Sequence, residues 1–307
     1  MAQETRAVRF HDYGGSEKLA LETVPRPEPK TGEVLVQVHF AGVNPIDWKF
    51  RAGYLKDYMP IGLPFTPGQD VSGTVAELGP GVKGLTKGQA VFGIAKGGYA
   101  EYAIAAAADL VVKPDKVSFE TAATIPTGAL TAWKAVEDAG VKSGQSVVVQ
   151  GAAGGVGQFV VQFARLKGAK VIGVASADNA AFVKSLGAEQ TVDYKKGLAE
   201  SGIKDVDAVI DLVGGEALEK SYSLVKKGGT LVTVAGQVSE DKAKARGIKA
   251  LGSGRGPTEQ LKQIADLLAK GSLRAEVGQV FPLAKAAAAQ DLSQTGHGKG
   301  RILLKTL

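Results

Sequence analysis

The segment Gly151-Ala152-Ala153-Gly154-Gly155-Val156-Gly157 follows the apolar run Val147-Val148-Val149 and leads into a stretch with apolar residues at Val156, Phe159, Val160, Phe163 and Ala164. An apolar strand, a glycine turn and a helix with one apolar face, in that order, aim backbone N–H groups and the positive end of a helix at a pyrophosphate. The alternative is a glycine-rich turn in some other α/β protein, and the surrounding alternation of strands and helices favours the dinucleotide. The match to G-x-G-x-x-G is imperfect, because Ala152 stands where the first glycine would be. Gly154 and Gly155 permit close approach of phosphates, Val156 starts the apolar face, and Gly157 permits close packing of helix on strand.

The next strand indicates which dinucleotide. NAD sites place an acid at its end to accept hydrogen bonds from the ribose 2′-hydroxyl. Here Val171-Ile172-Gly173-Val174 runs into Ala175-Ser176, so the acid is missing and a small hydroxyl stands ready for a 2′-phosphate. NADP is the better reading. Two details oppose it: Asp178 follows closely, and neither Ala177 nor Asn179 is a cation. Tyr194 is a second candidate for the phosphate, although a tyrosine at a strand end is often packing.

Composition narrows the remaining chemistry. The 307-residue chain contains no cysteine, which excludes disulfides, thiolate nucleophiles, iron–sulfur clusters and every zinc site that uses sulfur. Its three histidines, His11, His39 and His297, are far apart and read as structural or exposed rather than as ligands. The net charge is +6, with a basic cluster at Lys242, Lys244, Arg246 and Lys249. No nucleic-acid motif accompanies that cluster, so it reads as a solvated face or a rim that attracts an anionic cofactor. No window of about 18 consecutive apolar residues appears, and Glu4, Arg6 and Arg9 interrupt the N-terminus where a secretory signal needs an apolar core. A cytoplasmic protein without membrane contact is expected.

The elements that must position these residues fall into two textures. The first 115 or so residues carry short β-branched runs, such as Val34 to Phe40 and Val71 to Ala76, separated by Gly14-Gly15, Pro80-Gly81, Lys87-Gly88 and Gly97-Gly98. A compact, mostly β barrel fits that half. From Ser118 onward, apolar strands alternate with helical periods: strands are expected at Ser146 to Gln150, Lys170 to Ala175, Gln190 to Asp193, Val206 to Asp211, Thr230 to Ala235 and Ile248 to Leu251. Such repeated βαβ units make a doubly wound parallel sheet. The tail has a helix near Thr258 to Lys270 and a last strand at Arg301 to Lys305.

Four segments together carry a family likeness: Ala41-Gly42-Val43-Asn44-Pro45-Ile46-Asp47, Gly68-Gln69-Asp70-Val71-Ser72-Gly73, Leu130-Thr131-Ala132-Trp133, and Ala152 to Gly157. Over nearly its whole length the chain resembles the quinone oxidoreductase branch of the medium-chain dehydrogenase/reductase superfamily, which includes the zeta-crystallin-like and enone reductase proteins. The resemblance implies a GroES-like β-barrel catalytic domain over residues 1–118 and 257–307. It also implies a Rossmann domain that binds NADPH over residues 119–256, with the cofactor in the cleft between the two. Zinc alcohol dehydrogenases of the superfamily carry a cysteine after Gly-Val and a Gly-His-Glu further on, whereas this chain has Asn44 and Gln69-Asp70. Zinc is therefore not expected, nor is the four-cysteine structural lobe. Without a Lewis acid to stabilise an alkoxide, the chemistry left is hydride transfer to an acceptor already polarised by conjugation: a quinone or an α,β-unsaturated carbonyl.

By the same resemblance Asn44, Asp47, Lys49 and Tyr54 line the nicotinamide and substrate as the catalytic segment, with Lys49 also touching the cofactor. Each has a plainer alternative: a turn residue for Asn44, a helix cap for Asp47, a solvated side chain for Lys49 and core packing for Tyr54. Solvent or Tyr54 would protonate the substrate α-carbon. Thr131, opening a helix that passes beneath the cofactor, and Val234, Ala235 and Gly236, ending the fifth strand, are further cofactor contacts. Phe65 and Tyr58 are candidates for an apolar wall. Analogy points to a homodimer joined at a sheet edge, either Gly229 to Val234 or Ile248 to Leu251. An enoyl-thioester reductase and a non-catalytic protein that binds NADPH or RNA are the rival functions.

Overall fold

A computed structural model describes residues 3–196 and 201–307. The chain divides into two compact units, one running through Thr127 and resuming at Pro257, the other spanning Gly128–Gly256.

The first unit begins with an antiparallel pair, β1 (Glu4–Arg9) and β2 (Ala20–Pro25). Its centre is β3 (Glu33–Val43), an 11-residue strand that ladders antiparallel to β4 (Asp70–Leu78) and β6 (Tyr102–Ala106). Pairing along both edges, with apolar packing on the faces, explains why β3 is apolar nearly throughout and alternates only in part. Between β3 and β4 lies the short helix α1 (Pro45–Arg51). The sheet then continues through β5 (Ala90–Ile94) to β7 (Leu110–Val112), and α2 (Phe119–Ala123) follows.

The second unit opens within α3 (Pro126–Asp138), which starts five residues before Thr131 because Pro126 supplies a ready-made first turn. Its sheet contains β8 (Ser146–Gln150), β9 (Lys170–Ala175), β10 (Gln190–Asp193), β11 (Val206–Asp211), β12 (Val225–Thr233) and β13 (Lys249–Gly252). Helices α4 (Gly157–Leu166), α5 (Ala180–Ser185), α6 (Gly215–Ser221) and α7 (Glu240–Arg246) join them. All six strands are parallel, in the order β10-β9-β8-β11-β12-β13, so the winding reverses between β8 and β11. That reversal opens a crevice at the carboxyl edge of the sheet, the usual ligand site of such folds.

Three expectations change here. Helix α4 is buried all round from Gly157 to Ala164, not along one face, because the sheet covers one side and Trp133 of α3 packs against Phe163 at 5.2 Å. Strand β12 starts at Val225 and ends at Thr233, which leaves Val234, Ala235 and Gly236 in the loop beyond it; Lys226, Lys227, Gly228 and Gly229 hide its first half from any β pattern. The same strand pairs on both sides, so Gly229 to Val234 is not a sheet edge, whereas β13 is one. In the basic cluster, Lys242 pairs with Glu219, and α7 buries only Ala243.

From Pro257 the chain rejoins the first unit through α8 (Gln260–Ala269), β14 (Val277–Pro282), α9 (Ala286–Gln294) and β15 (Arg301–Lys305). Strand β15 pairs antiparallel with the end of β3. The alanine tract forms α9, whose Ala286 and Ala289 enter the core formed by Val36, Val71 and Leu304. No described helix is long and apolar enough to cross a membrane.

Gly73 shows how closely β3 and β4 approach. A Cβ there would lie 2.0 Å from the Gln37 carbonyl oxygen. Gly73→Ala should lower stability to urea by about 1–3 kcal/mol, while Gly62→Ala, where a Cβ meets open space, should stay within about 0.5 kcal/mol of the parent.

Candidate functional site

In the first unit the site residues gather at the end of β3 and the start of α1. Asn44 leaves the strand with extended backbone, Pro45 opens the helix, and Asp47 reaches back to accept a hydrogen bond from the Asn44 N–H at 2.8 Å. The cap reading of Asp47 therefore describes a real contact. Its carboxylate does more: it accepts from the Tyr99 hydroxyl at 3.0 Å and from the Gly68 N–H at 3.3 Å. Gly68 has φ +94° and no room for a side chain, since a Cβ would meet the Tyr99 ring at 2.4 Å. Asp47 is 2% exposed. Burial raises its pKa to about 7 and the nearby Asp70 charge adds to the rise, against the pull of the hydrogen bonds from Asn44, Tyr99 and Gly68. Tyr99, buried beside it, is held well above the ordinary phenol value by burial first and by the Asp47 charge second.

Asn44 looks the other way. Its Oδ1 accepts from Arg301 Nη2 at 2.7 Å and its Nδ2 donates to Asp70 Oδ2 at 3.1 Å, while Arg301 Nη2 also donates to Asp70 Oδ2 at 2.6 Å. The second Asp70 oxygen accepts from the Thr127 backbone N–H and hydroxyl at 3.1 and 2.5 Å. One carboxylate thus joins β4, β15, the end of β3 and the start of α3. Gly42 is required beside it, because a Cβ would sit 2.9 Å from Asp70 Cβ and 3.2 Å from Arg301 Nη2.

Lys49 and Tyr54 form a separate, more open group around Trp48. The Lys49 ammonium lies 5.6 Å from the Trp48 ring centroid, and the Tyr54 ring meets Trp48 edge-on at 6.0 Å. Tyr54 is 66% exposed, so it is not core packing. Tyr58, Met59 and Leu63 extend this exposed apolar stretch, whereas Phe65 turns inward onto Phe10 and Phe50.

In the second unit the glycine loop follows β8. The left-handed residue that turns the chain is Gly151 (φ +71°), so Ala152 needs no unusual conformation and instead donates its N–H to the Val174 carbonyl at 3.0 Å. At Gly157 a Cβ would fall 2.1 Å from the Gly151 carbonyl, which only glycine tolerates; at Gly154 it would meet nothing but the Gly151 carbonyl at 3.3 Å. The loop is closed below and open above, a cradle suited to a pyrophosphate. Gly128 of α3 approaches the Gly155 carbonyl, and Thr131 is buried one turn further on.

The carboxyl edge also holds a residue that pattern reading passed over. Buried Asp211, ending β11, accepts from the N–H groups of Val213 and Gly214 at 3.1–3.2 Å and from the Thr233 hydroxyl at 2.6 Å. It fixes the loop after β11 next to the loop Val234–Gly236, and Val213 lies close to Gly151. At the ends of β9 and β10 a cavity of about 450 Å³ is lined by Ser176, Ala177, Thr191, Asp193, Lys196 and Ser201, among others. Tyr194 is half exposed and is not among its lining residues. Arg301, Tyr99, Asp211 and Lys196 all escaped sequence reasoning. The one available signal was a cation heading the apolar run Ile302-Leu303-Leu304.

Residues 30–115 match the family described as alcohol dehydrogenase GroES-like domain, and residues 186–304 match the family described as zinc-binding dehydrogenase. The chain is 34% identical to the quinone oxidoreductase of Sus scrofa, over 97% of each protein. It is 33% identical to the 2-methylene-furan-3-one reductase of Solanum lycopersicum, over 98% of this chain and 79% of that protein. The solved structure of the quinone oxidoreductase from Coxiella burnetii superposes with a TM-score of 0.91 at 37% identity, covering 99% of this chain and 100% of that one.

The elevated Asp47 pKa has a measurable sign. In the unfolded chain the carboxyl ionises near pH 4, but in the fold it keeps its proton to about pH 7. Stability contributed by the neutral carboxyl is present at low pH and is lost as pH rises through that window. Between pH 5 and 7 the parent should lose about 2–3 kcal/mol relative to Asp47→Asn, which cannot ionise. Urea melts of both proteins across that range check it; a constant difference would mean that Asp47 titrates near its ordinary value.

Proposed function

Because the chain belongs to the quinone oxidoreductase branch of the medium-chain dehydrogenase/reductase superfamily, we propose that it uses NADPH, without zinc, to reduce a quinone or the C=C bond of an α,β-unsaturated carbonyl. The observation that carries this reading is the end of β3. Asn44 stands where zinc-dependent relatives carry their cysteine and Gln69-Asp70 where they carry His-Glu, and Asn44 and Asp70 are both engaged by the guanidinium of Arg301. The guanidinium supplies the counter-charge to the Asp70 carboxylate there. The donor chemistry agrees: the chain has no cysteine, His39 bonds Thr74, and His11 bonds Glu22.

The bound nicotinamide supplies the hydride. The chain's own residues bind, orient and stabilise. The Gly151 turn, Gly154, Gly155, Val156 and Gly157 receive the pyrophosphate at the start of α4. Ser176 favours a 2′-phosphate, since no acid stands at the end of β9. Thr131 and the loop Val234–Gly236 border the rest of the cofactor. Lys49 and Tyr54, the accessible members of the α1 segment, donate to the substrate oxygen as charge develops on it, an enolate or a quinol oxygen. Asn44 and Asp47 are positioning residues, because their polar atoms are spent on Arg301, Asp70, Tyr99 and the helix cap. The proton for the α-carbon comes from solvent or from Tyr54. The work is that of a cytoplasmic homodimer, for which β13, one of the two edge strands of the parallel sheet, is the joining edge.

Mixing the protein with NADPH and a panel of quinones and enones in EDTA, and following reduced-nicotinamide absorbance, tests the proposal. Turnover that survives chelation is expected. Activity lost on chelation and restored by zinc would overturn the metal-independent reading. NADPH bound but oxidised by no acceptor would overturn the acceptor class.

A further inference from the structure

We infer that Lys196, at the end of β10, is the residue that recognises the 2′-phosphate of NADPH and sets the preference for it over NADH. The inference rests on the NADPH reading and names a cation that the strand preceding Ser176 does not provide. Among the described residues lining the 450 Å³ cavity at the ends of β9 and β10, Lys196 is the only cation. That cavity begins at Ala175 and Ser176, the place where open α/β sheets meet the adenosine ribose of a dinucleotide.

Local hydrogen bonds prepare the site. The Asn179 side-chain amide donates to Ser176 Oγ at 3.0 Å, and the Asn179 N–H donates to the Ser176 carbonyl at 3.0 Å. Ser176 therefore accepts from within its own turn, and its hydroxyl proton is left to donate outward to a phosphate oxygen. Asn179 occupies a position where a cation would have served directly, and it positions the serine instead. Asp193 also lines the cavity and would repel a phosphate. Its Oδ1, however, accepts the Lys195 N–H at 3.1 Å, so the carboxylate is used to close the turn Tyr194–Lys196 that brings Lys196 to the cavity. The ribose 2′-phosphate of NADPH would then meet one hydroxyl donor from the end of β9 and one ammonium from the end of β10. NADH offers neither partner an anion.

The test is a fluorescence titration of the full-length protein and Lys196→Ala with NADPH and NADH, alongside adenosine 2′,5′-bisphosphate and adenosine 5′-monophosphate as fragments. Losing one charge-assisted contact should weaken NADPH and the bisphosphate by about tenfold or more, leave NADH and the monophosphate within about twofold, and flatten the salt dependence of NADPH binding. Lys196→Arg should retain the preference. Lys195→Ala, which removes an exposed neighbouring charge outside the cavity lining, should leave the ratio of the two affinities unchanged. Equal weakening of NADPH and NADH in Lys196→Ala, or an equal effect of Lys195→Ala, would overturn the assignment to Lys196 while leaving the NADPH reading intact. A parent protein that binds NADH as tightly as NADPH would instead overturn the NADPH reading itself.

Discussion

The contact between Arg301 and Asp70 organises the first unit. It links residues 231 positions apart, and the same guanidinium reaches Asn44 across 257 positions. Both side chains are almost wholly buried, at 4% and 0% exposure. Desolvating two charges cancels much of their attraction, so such a pair adds little to net stability. Removing either partner, by contrast, strands a charge in a low-dielectric interior at a cost of about 3–5 kcal/mol. Its contribution is specificity of arrangement. With Arg301 in place, β15 must lie against the end of β3, Asn44 must face Asp70, and α1 must start where the Asp47 cap directs it.

The second unit is organised by burial instead of charge. Val147, Val148 and Val149 are fully enclosed, and the glycines around them exist because backbone has to approach backbone. Gly151 turns the chain off β8, Gly157 lets α4 press against that turn, and Asp211 ties down the loop on the other side of the reversal point. The crevice for a dinucleotide is a product of strand order, and the polar groups around it are mostly main-chain.

This contrast explains how much was readable in advance. Strands β8, β9, β10 and β11 were legible to the residue, and for β8, β9 and β11 the reason is that buried parallel strands are short runs rich in valine and isoleucine. The first half of β12 was not, since Lys226, Lys227 and Gly228 lie in the irregular stretch between the Val225 and Thr230 pairings and carry no β pattern. In the same way the glycine loop and the Asn44–Asp47 cap carry their geometry in local spacing. Arg301 and Tyr99 take their roles from partners distant in the chain, and no window of sequence contains both halves of those contacts; Asp211 combines a local turn contact with Val213 and Gly214 and a bond to Thr233 that only the sheet brings near. Lys196 was overlooked for a different reason. The turn beside Ser176 offers no cation, and the lysine proposed for that role follows the next strand, which the sheet makes a neighbour.

The interrupted first unit also bears on how the protein is made. Its opening 127 residues leave the ribosome well before the segment from Pro257 that completes them, whereas Gly128–Gly256 emerges as one uninterrupted piece. At about 5–20 residues per second, Asp70 waits on the order of 10–50 s for Arg301 to be synthesised. Through that interval the nascent β3–β4 sheet carries an anion without its counter-charge and an edge without β15. The unit encoded second is the first that can close, and the unit encoded first matures later, when Arg301 and β15 reach it.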